Sequence, residues 1–139
     1  MVLDANILVR AVLGKRVLSL LLEYGAAVQY FAPESAFAEA EEHLPAILAR
    51  RQIEPEQGLR VLRELRSIVQ AVSEEIYSVF EEDSRLRMAS RDLEDWPVLA
   101  TALALDCPIW TEDEDFFGAG VATWTTDRIE IFLKRRASG

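Results

Sequence analysis

The chain alternates short runs of strand-forming residues with longer runs at helical spacing, and few folds accept that alternation. Val2-Leu3, Val28 to Phe31, Ile68 to Val72, Pro108 to Thr111 and Val121 to Trp124 read as strands. Helices are expected from Ile7 to Leu13 and from Lys15 to Tyr24, with Gly25 as a stop signal. Pro33 closes the second strand, and a helix follows from Glu34 to His43. Pro45 should kink or restart it before it continues to about Arg50. Glu54-Pro55-Glu56 opens a helix to about Leu65, with Pro in the first turn and acids at the positive end of the dipole. Ser73 is expected to cap a helix to about Ala89, Asp95 to open one ending near Leu105, and Thr126 to cap the last, to about Lys134. Strands separated by helices imply an α/β three-layer α/β/α sandwich whose central sheet is mainly parallel, with about five strands. No repeat, linker or low-complexity segment interrupts the pattern, so residues 1–139 are expected to form a single domain.

Composition narrows the function. No apolar run approaches the roughly 20 residues of a membrane helix. The start, Met1-Val2-Leu3-Asp4, carries no basic leader or signal core, so a cytoplasmic location is expected. A single cysteine, Cys107, excludes an internal disulfide and a cysteine-cluster zinc site, and its apolar setting reads as core packing. The net charge of −9 argues against a module that coats nucleic acid by charge alone. It does not argue against a nuclease whose carboxylates hold divalent cations, because the metal supplies the positive charge. It also suits a basic protein partner. There is no Gly-rich phosphate loop, and nothing places a serine beside His43, the one histidine, as a Ser-His-Asp triad would need.

In open α/β sheets, ligands sit beyond the carboxyl ends of the strands. Four acids from distant segments are expected at that edge. Asp4 directly follows the first strand, and Asp113 lies two residues past the fourth. Asp95 opens the helix that leads back to the fourth strand, and Glu39 lies early in the helix after the second. Each sits in an apolar setting, as in Asp95-Trp96-Pro97-Val98-Leu99-Ala100. Burying a carboxylate costs several kcal/mol unless it is paired or metal-bound. Clustered carboxylates repel, so at neutral pH they need cations or shared protons. An all-oxygen set favours Mg²⁺ or Mn²⁺. The matching chemistry is phosphodiester hydrolysis, with either one ion or two.

These residues carry a family resemblance. Leu3-Asp4-Ala5-Asn6-Ile7-Leu8-Val9 resembles the opening motif of PIN domains, where an Asp ends the first strand and an Asn follows two residues later. Phe31-Ala32-Pro33-Glu34-Ser35-Ala36-Phe37-Ala38-Glu39 is similar to the family's strand, proline and helix with an inward Glu. The run from Arg91 through Asp95-Trp96-Pro97 to Ala102 resembles the third motif, and Trp110-Thr111-Glu112-Asp113-Glu114-Asp115-Phe116 the fourth. The resemblance spans essentially the whole chain. One departure is Ala5, where the family often carries Thr or Ser, and this removes no ligand. It implies a PIN-like α/β/α sandwich, ribonuclease activity and a Mg²⁺ or Mn²⁺ site at Asp4, Glu39, Asp95 and Asp113, with Asp115 as a further ligand. Many small members are VapC-type toxins, so it also implies an RNA substrate, an antitoxin partner and a homodimer. The competing readings are a PIN-fold module that binds RNA or protein without cutting, and a receiver-type phosphotransfer domain. The second wants adjacent acids after the first strand and a late lysine, and neither is present.

Blander roles compete at several positions. Asp4 and Asp95 can each cap a helix, a role compatible with metal binding because one oxygen stays free. Asp92 reads first as a surface cap and second as an aid to the site, Glu34, Glu41 and Glu42 are rivals to Glu39, and Asp115 competes with Asp113 in an acidic run that also reads as a solvated loop. Asn6 and Thr111 are placed to orient a carboxylate. His43, Trp96, Trp110 and Trp124 read as packing or surface residues. Arg10, Arg87 and Arg91 are candidates to touch substrate phosphate.

Overall fold

A computed structural model describes residues 1–139. Five strands form one sheet: β1 (Val2–Leu3), β2 (Tyr30–Pro33), β3 (Val69–Val72), β4 (Ile109–Trp110) and β5 (Thr123–Trp124). Their order is β3-β2-β1-β4-β5, and every neighbouring pair is parallel. The helices are α1 (Ala5–Leu13), α2 (Arg16–Tyr24), α3 (Glu34–Arg50), α4 (Pro55–Leu65), α5 (Glu74–Tyr77), α6 (Glu81–Met88), α7 (Trp96–Leu105) and α8 (Ile129–Ser138). The three-layer α/β/α architecture with a parallel sheet is the one expected.

The period of two along each strand builds the layers. Leu3, Tyr30, Ala32, Val69 and Trp110 face α1, α2, α3, α4 and α8 in the larger core. Their chain neighbours Val2 and Ile109 face α6 and α7, and Val72 packs with Tyr77, Trp96 and Ala100 on the same side. Helices linking β1 to β2 to β3 lie on the first face, and those carrying the chain back from β3 to β4 lie on the second. Right-handed crossovers demand this when strand order reverses. The reversal falls at β1, with β2 on one side and β4 on the other. A crevice therefore opens beyond β1 and β4, where Asp4 and Asp113 emerge.

Some local expectations shift. Helix α3 runs through Pro45 without a restart. The ring removes only the bond to the Glu41 carbonyl; Glu41 is exposed to water, while Ala40, Leu44 and Leu48 hold the helix to the core. The expected helix from Ser73 to Ala89 is instead α5, a 3₁₀ turn at Ser78–Phe80 and α6. The tighter turn packs Phe80 against the Val72–Tyr77–Trp96 cluster. Glu81, Glu82 and Asp83 then give α6 its own acidic first turn. Thr126 is not a cap: its hydroxyl accepts from Trp110 Nε1 at 3.1 Å, and α8 starts at Ile129. Trp110 is fully buried, Trp124 and Cys107 are half-buried against the cores, and Trp96 packs edge-on to Tyr77 at 5.5 Å.

Candidate active site

Asp4 is held from two directions. It caps α1, its Oδ1 accepting from the Ile7 amide at 2.9 Å, and its Oδ2 accepts from the Thr111 hydroxyl. Thr111 is itself buried just past β4, and its Oγ1 accepts from the Asp113 amide at 2.9 Å. Asp113 Oδ1 in turn accepts from the Asp115 amide at 2.9 Å. These bonds fix the Thr111–Asp115 segment relative to β1 while leaving lone pairs on both carboxylates.

Asp95 stands where a cap would, at the start of α7, yet makes no capping bond. The chain arrives there through a 3₁₀ turn, Leu93–Asp95, that Asp92 caps by accepting from the Glu94 amide at 3.1 Å. Asp95 is thereby free to turn inward. Its Oδ2 is sealed from water with no hydrogen-bond partner, although the side chain as a whole is only half-buried. Buried polar atoms are normally satisfied, so this oxygen calls for a donor or a cation.

One cleft of about 320 Å³ collects Asp4, Glu39, Asp92, Asp95 and Asp113, with Asn6 and His43 on its wall. The four acids expected from sequence therefore share one cavity. Glu39 reaches it from the exposed flank of α3. Its rivals Glu34, Glu41 and Glu42 do not line it, and Glu34 faces Arg66 at 3.3 Å. Carboxylate oxygens of Asp92, Asp95 and Asp115 lie within 4.8 Å of one another. The sequence left Asp92 between a surface cap and an aid to the site; the structure gives it the cap and also brings it to Asp95.

Charge crowding is visible in the protonation of the cluster. Burial raises the Asp4 carboxyl to about 6, against the Thr111 and Ile7 hydrogen bonds that lower it, with Asp113 and Glu39 adding repulsion. Burial likewise raises Asp95, with Asp92 and then Asp113 and Asp4 contributing, to about 8. The positive ends of α1 and α7 point at Asp4 and Asp95 and offset part of this cost. An all-oxygen set with one buried, unpartnered oxygen fits a hard divalent cation, Mg²⁺ or Mn²⁺.

Two arginines considered as phosphate contacts have other work. Arg87 pairs with Asp83 at 3.0 Å and donates to the Ala119 carbonyl at 3.0 Å. Arg91 donates from Nη1 to the Asp115 carbonyl at 2.9 Å and to the Phe117 carbonyl. The loop they clamp contains Gly118 and Gly120 at φ +83° and +93°, conformations that disfavour a side chain. Arg91 therefore positions Asp115. Replacing it with Ala is expected to lower divalent-ion affinity about 10–100-fold. Isothermal titration checks this, and wild-type affinity in the variant would show that the clamp does not govern the cluster.

A family model described as PIN domain matches residues 2–134. No curated protein matches the chain.

Proposed function

We propose, on the premise that this chain belongs to the PIN-domain family, that it is a Mg²⁺- or Mn²⁺-dependent endoribonuclease. The family fold is a nuclease fold, and a cluster of acids able to hold a metal is present. The observation that carries the reading is the cleft at the strand-order reversal, which Asp4, Glu39, Asp95 and Asp113 line from four separate segments, together with the buried, unpartnered Oδ2 of Asp95. In this reading Asp4, Glu39, Asp95, Asp113 and Asp115 hold the cation. When bound, such an ion supplies positive charge to the phosphate and makes water more acidic. Thr111 and the Ile7 amide fix the direction of Asp4, and Asp92 caps the start of the 3₁₀ turn that ends at Asp95. Asn6 lines the same wall and can orient water or phosphate oxygen.

The biological role proposed is that of a VapC-type toxin acting in the cytoplasm as a single-domain homodimer, inhibited by an antitoxin. The net charge of −9 supports a partner with a basic contact surface. No helix is long and apolar enough to cross a membrane. A full set of acids speaks against a module that binds without cutting.

The test is cleavage of an end-labelled structured RNA by purified protein in Mg²⁺, in Mn²⁺ and in EDTA. Cutting in either metal that stops in EDTA is expected. Cutting that persists in EDTA would overturn the metal requirement, and no cutting of any RNA offered would favour the binding module.

A further inference from the structure

A second cavity, of about 510 Å³, adjoins the acidic cleft. Asn6, Val9 and Ile47 line both, so the two are halves of one continuous trough along α1 and the end of α3. The second half has the opposite charge. Arg10 from the last turn of α1, Lys15 from the α1–α2 turn and Arg51 from the end of α3 line it. All three are exposed, and none forms an ion pair. A fourth cation of the same cavity, Arg16, is held by Glu130 at 2.6 Å.

Arg10, Lys15 and Arg51 share this wall with no acid among the lining residues, in a chain with 24 acids against 15 lysines and arginines. The trough keeps these three apart from the acids although the acidic cleft is next door. The lining has no aromatic side chain on which a base could stack. Its apolar members, such as Leu13 and Val17, carry no hydrogen-bonding groups to read base edges.

We propose that this basic half of the trough grips the sugar–phosphate backbone of the RNA strand beside the bond to be cut. Arg10, Lys15 and Arg51 contact successive phosphates there and are positioning residues outside the reacting centre. The inference takes the identity of the strand from the ribonuclease reading, but the grip itself is a binding property separable from cutting. Backbone contacts fix register without carrying sequence, so the grip is expected to be indifferent to base identity. It also accounts for how an acidic protein retains a polyanion: the acids are neutralised by cation, and the adjoining wall attracts the flanking phosphates.

The experiment is fluorescence anisotropy of a labelled oligouridine RNA in Ca²⁺ buffer over a series of KCl concentrations. Wild type is compared with the triple variant Arg10→Gln, Lys15→Gln, Arg51→Gln. A control triple, Arg60→Gln, Arg135→Gln, Arg136→Gln, removes the same charge elsewhere, and circular dichroism checks that both triples fold. The groove triple is expected to bind about 10-fold more weakly or worse. Its slope of log K against log salt is expected to flatten by about 0.7 for each phosphate it no longer neutralises. The control is expected to track wild type. In a parallel cleavage assay the groove triple is expected to raise KM with kcat unchanged. Should the triple fail to fold, Arg10→Gln and Arg51→Gln taken singly are expected to show the same flattening in smaller steps. Equal loss in both triples reduces the effect to net charge and overturns the proposal, as does an unchanged salt slope in the groove triple. Cutting with no groove effect refutes the grip and leaves the nuclease intact; groove-dependent binding with no cutting does the reverse.

Discussion

Replacing Asp95 with Asn is expected to abolish metal-dependent RNA cleavage and to make the metal-free protein more heat-stable than wild type, increasingly so as pH rises. The first half follows from the loss of the carboxylate whose buried Oδ2 has no other partner. An amide oxygen is a weaker ligand and carries no charge, so a fall of at least about 100-fold in kcat is expected. The second half follows from linkage. Burial and the neighbouring acids raise the Asp95 carboxyl from 3.8 to about 8 in the fold. Between those values the folded chain holds a proton that the unfolded chain has released, so wild-type stability falls as pH climbs through that window. Asn has no proton to lose and lacks this decline. The two proteins should melt together near pH 4 and diverge up to about pH 8. Because the side chain is half-buried, solvent screening holds the gap to about 1–3 kcal/mol, or several degrees in a chain of this size. Differential scanning fluorimetry in chelator across that range measures it. A gap independent of pH would mean that Asp95 ionises as freely in the fold as in the open chain; full cleavage by the variant would remove Asp95 from the chemistry.

The readable parts of the site are those that strand ends dictate. Asp4 directly follows a hydrophobic strand and Asp113 lies just past another, and a parallel sheet leaves no choice about which edge they reach. Asp95 was legible because an acid followed by Trp-Pro marks the start of a buried helix, and α7 begins there. Glu39 required only the helical spacing from Pro33. Sequence alone did not decide between the two roles of Asp92, because its approach to Asp95 depends on a 3₁₀ turn between two helices, and such turns leave no periodic trace in sequence. The break at Ser78–Phe80 was hidden for the same reason: local propensity allowed one long helix, and the packing of Phe80 cut it in two. Arg87 and Arg91 read from sequence as candidates for phosphate, since the carbonyls they hold lie 32 and at most 26 residues away. Arg10 was legible as a candidate for phosphate, but its alliance with Lys15 and Arg51 depends on how α1 packs against α3.

The same crowding that weakens the metal-free protein sets how it should respond to metal. Adding Mn²⁺ at about 100 times its dissociation constant should stabilise the fold by about 2.7 kcal/mol, because the unfolded chain does not assemble the site. That gain should depend on pH. Protons compete with the ion at Asp4, which titrates at about 6, and at Asp95, at about 8. At about pH 5.5 both carboxyls are largely protonated, and the ion must displace the protons to bind. At about pH 8 Asp4 is ionised and Asp95 half so, and the apparent affinity should be at least about 10-fold higher. The melting shift at a fixed Mn²⁺ concentration should therefore grow between these two values. Binding near neutrality should release protons, visible by calorimetry as an enthalpy that scales with the ionisation heat of the buffer. Asp4→Asn and Asp95→Asn should each show smaller shifts than wild type with a weaker dependence on pH. Equal shifts at both pH values in wild type would place the ion away from these carboxyls. A shift retained in both variants would assign it to other acids.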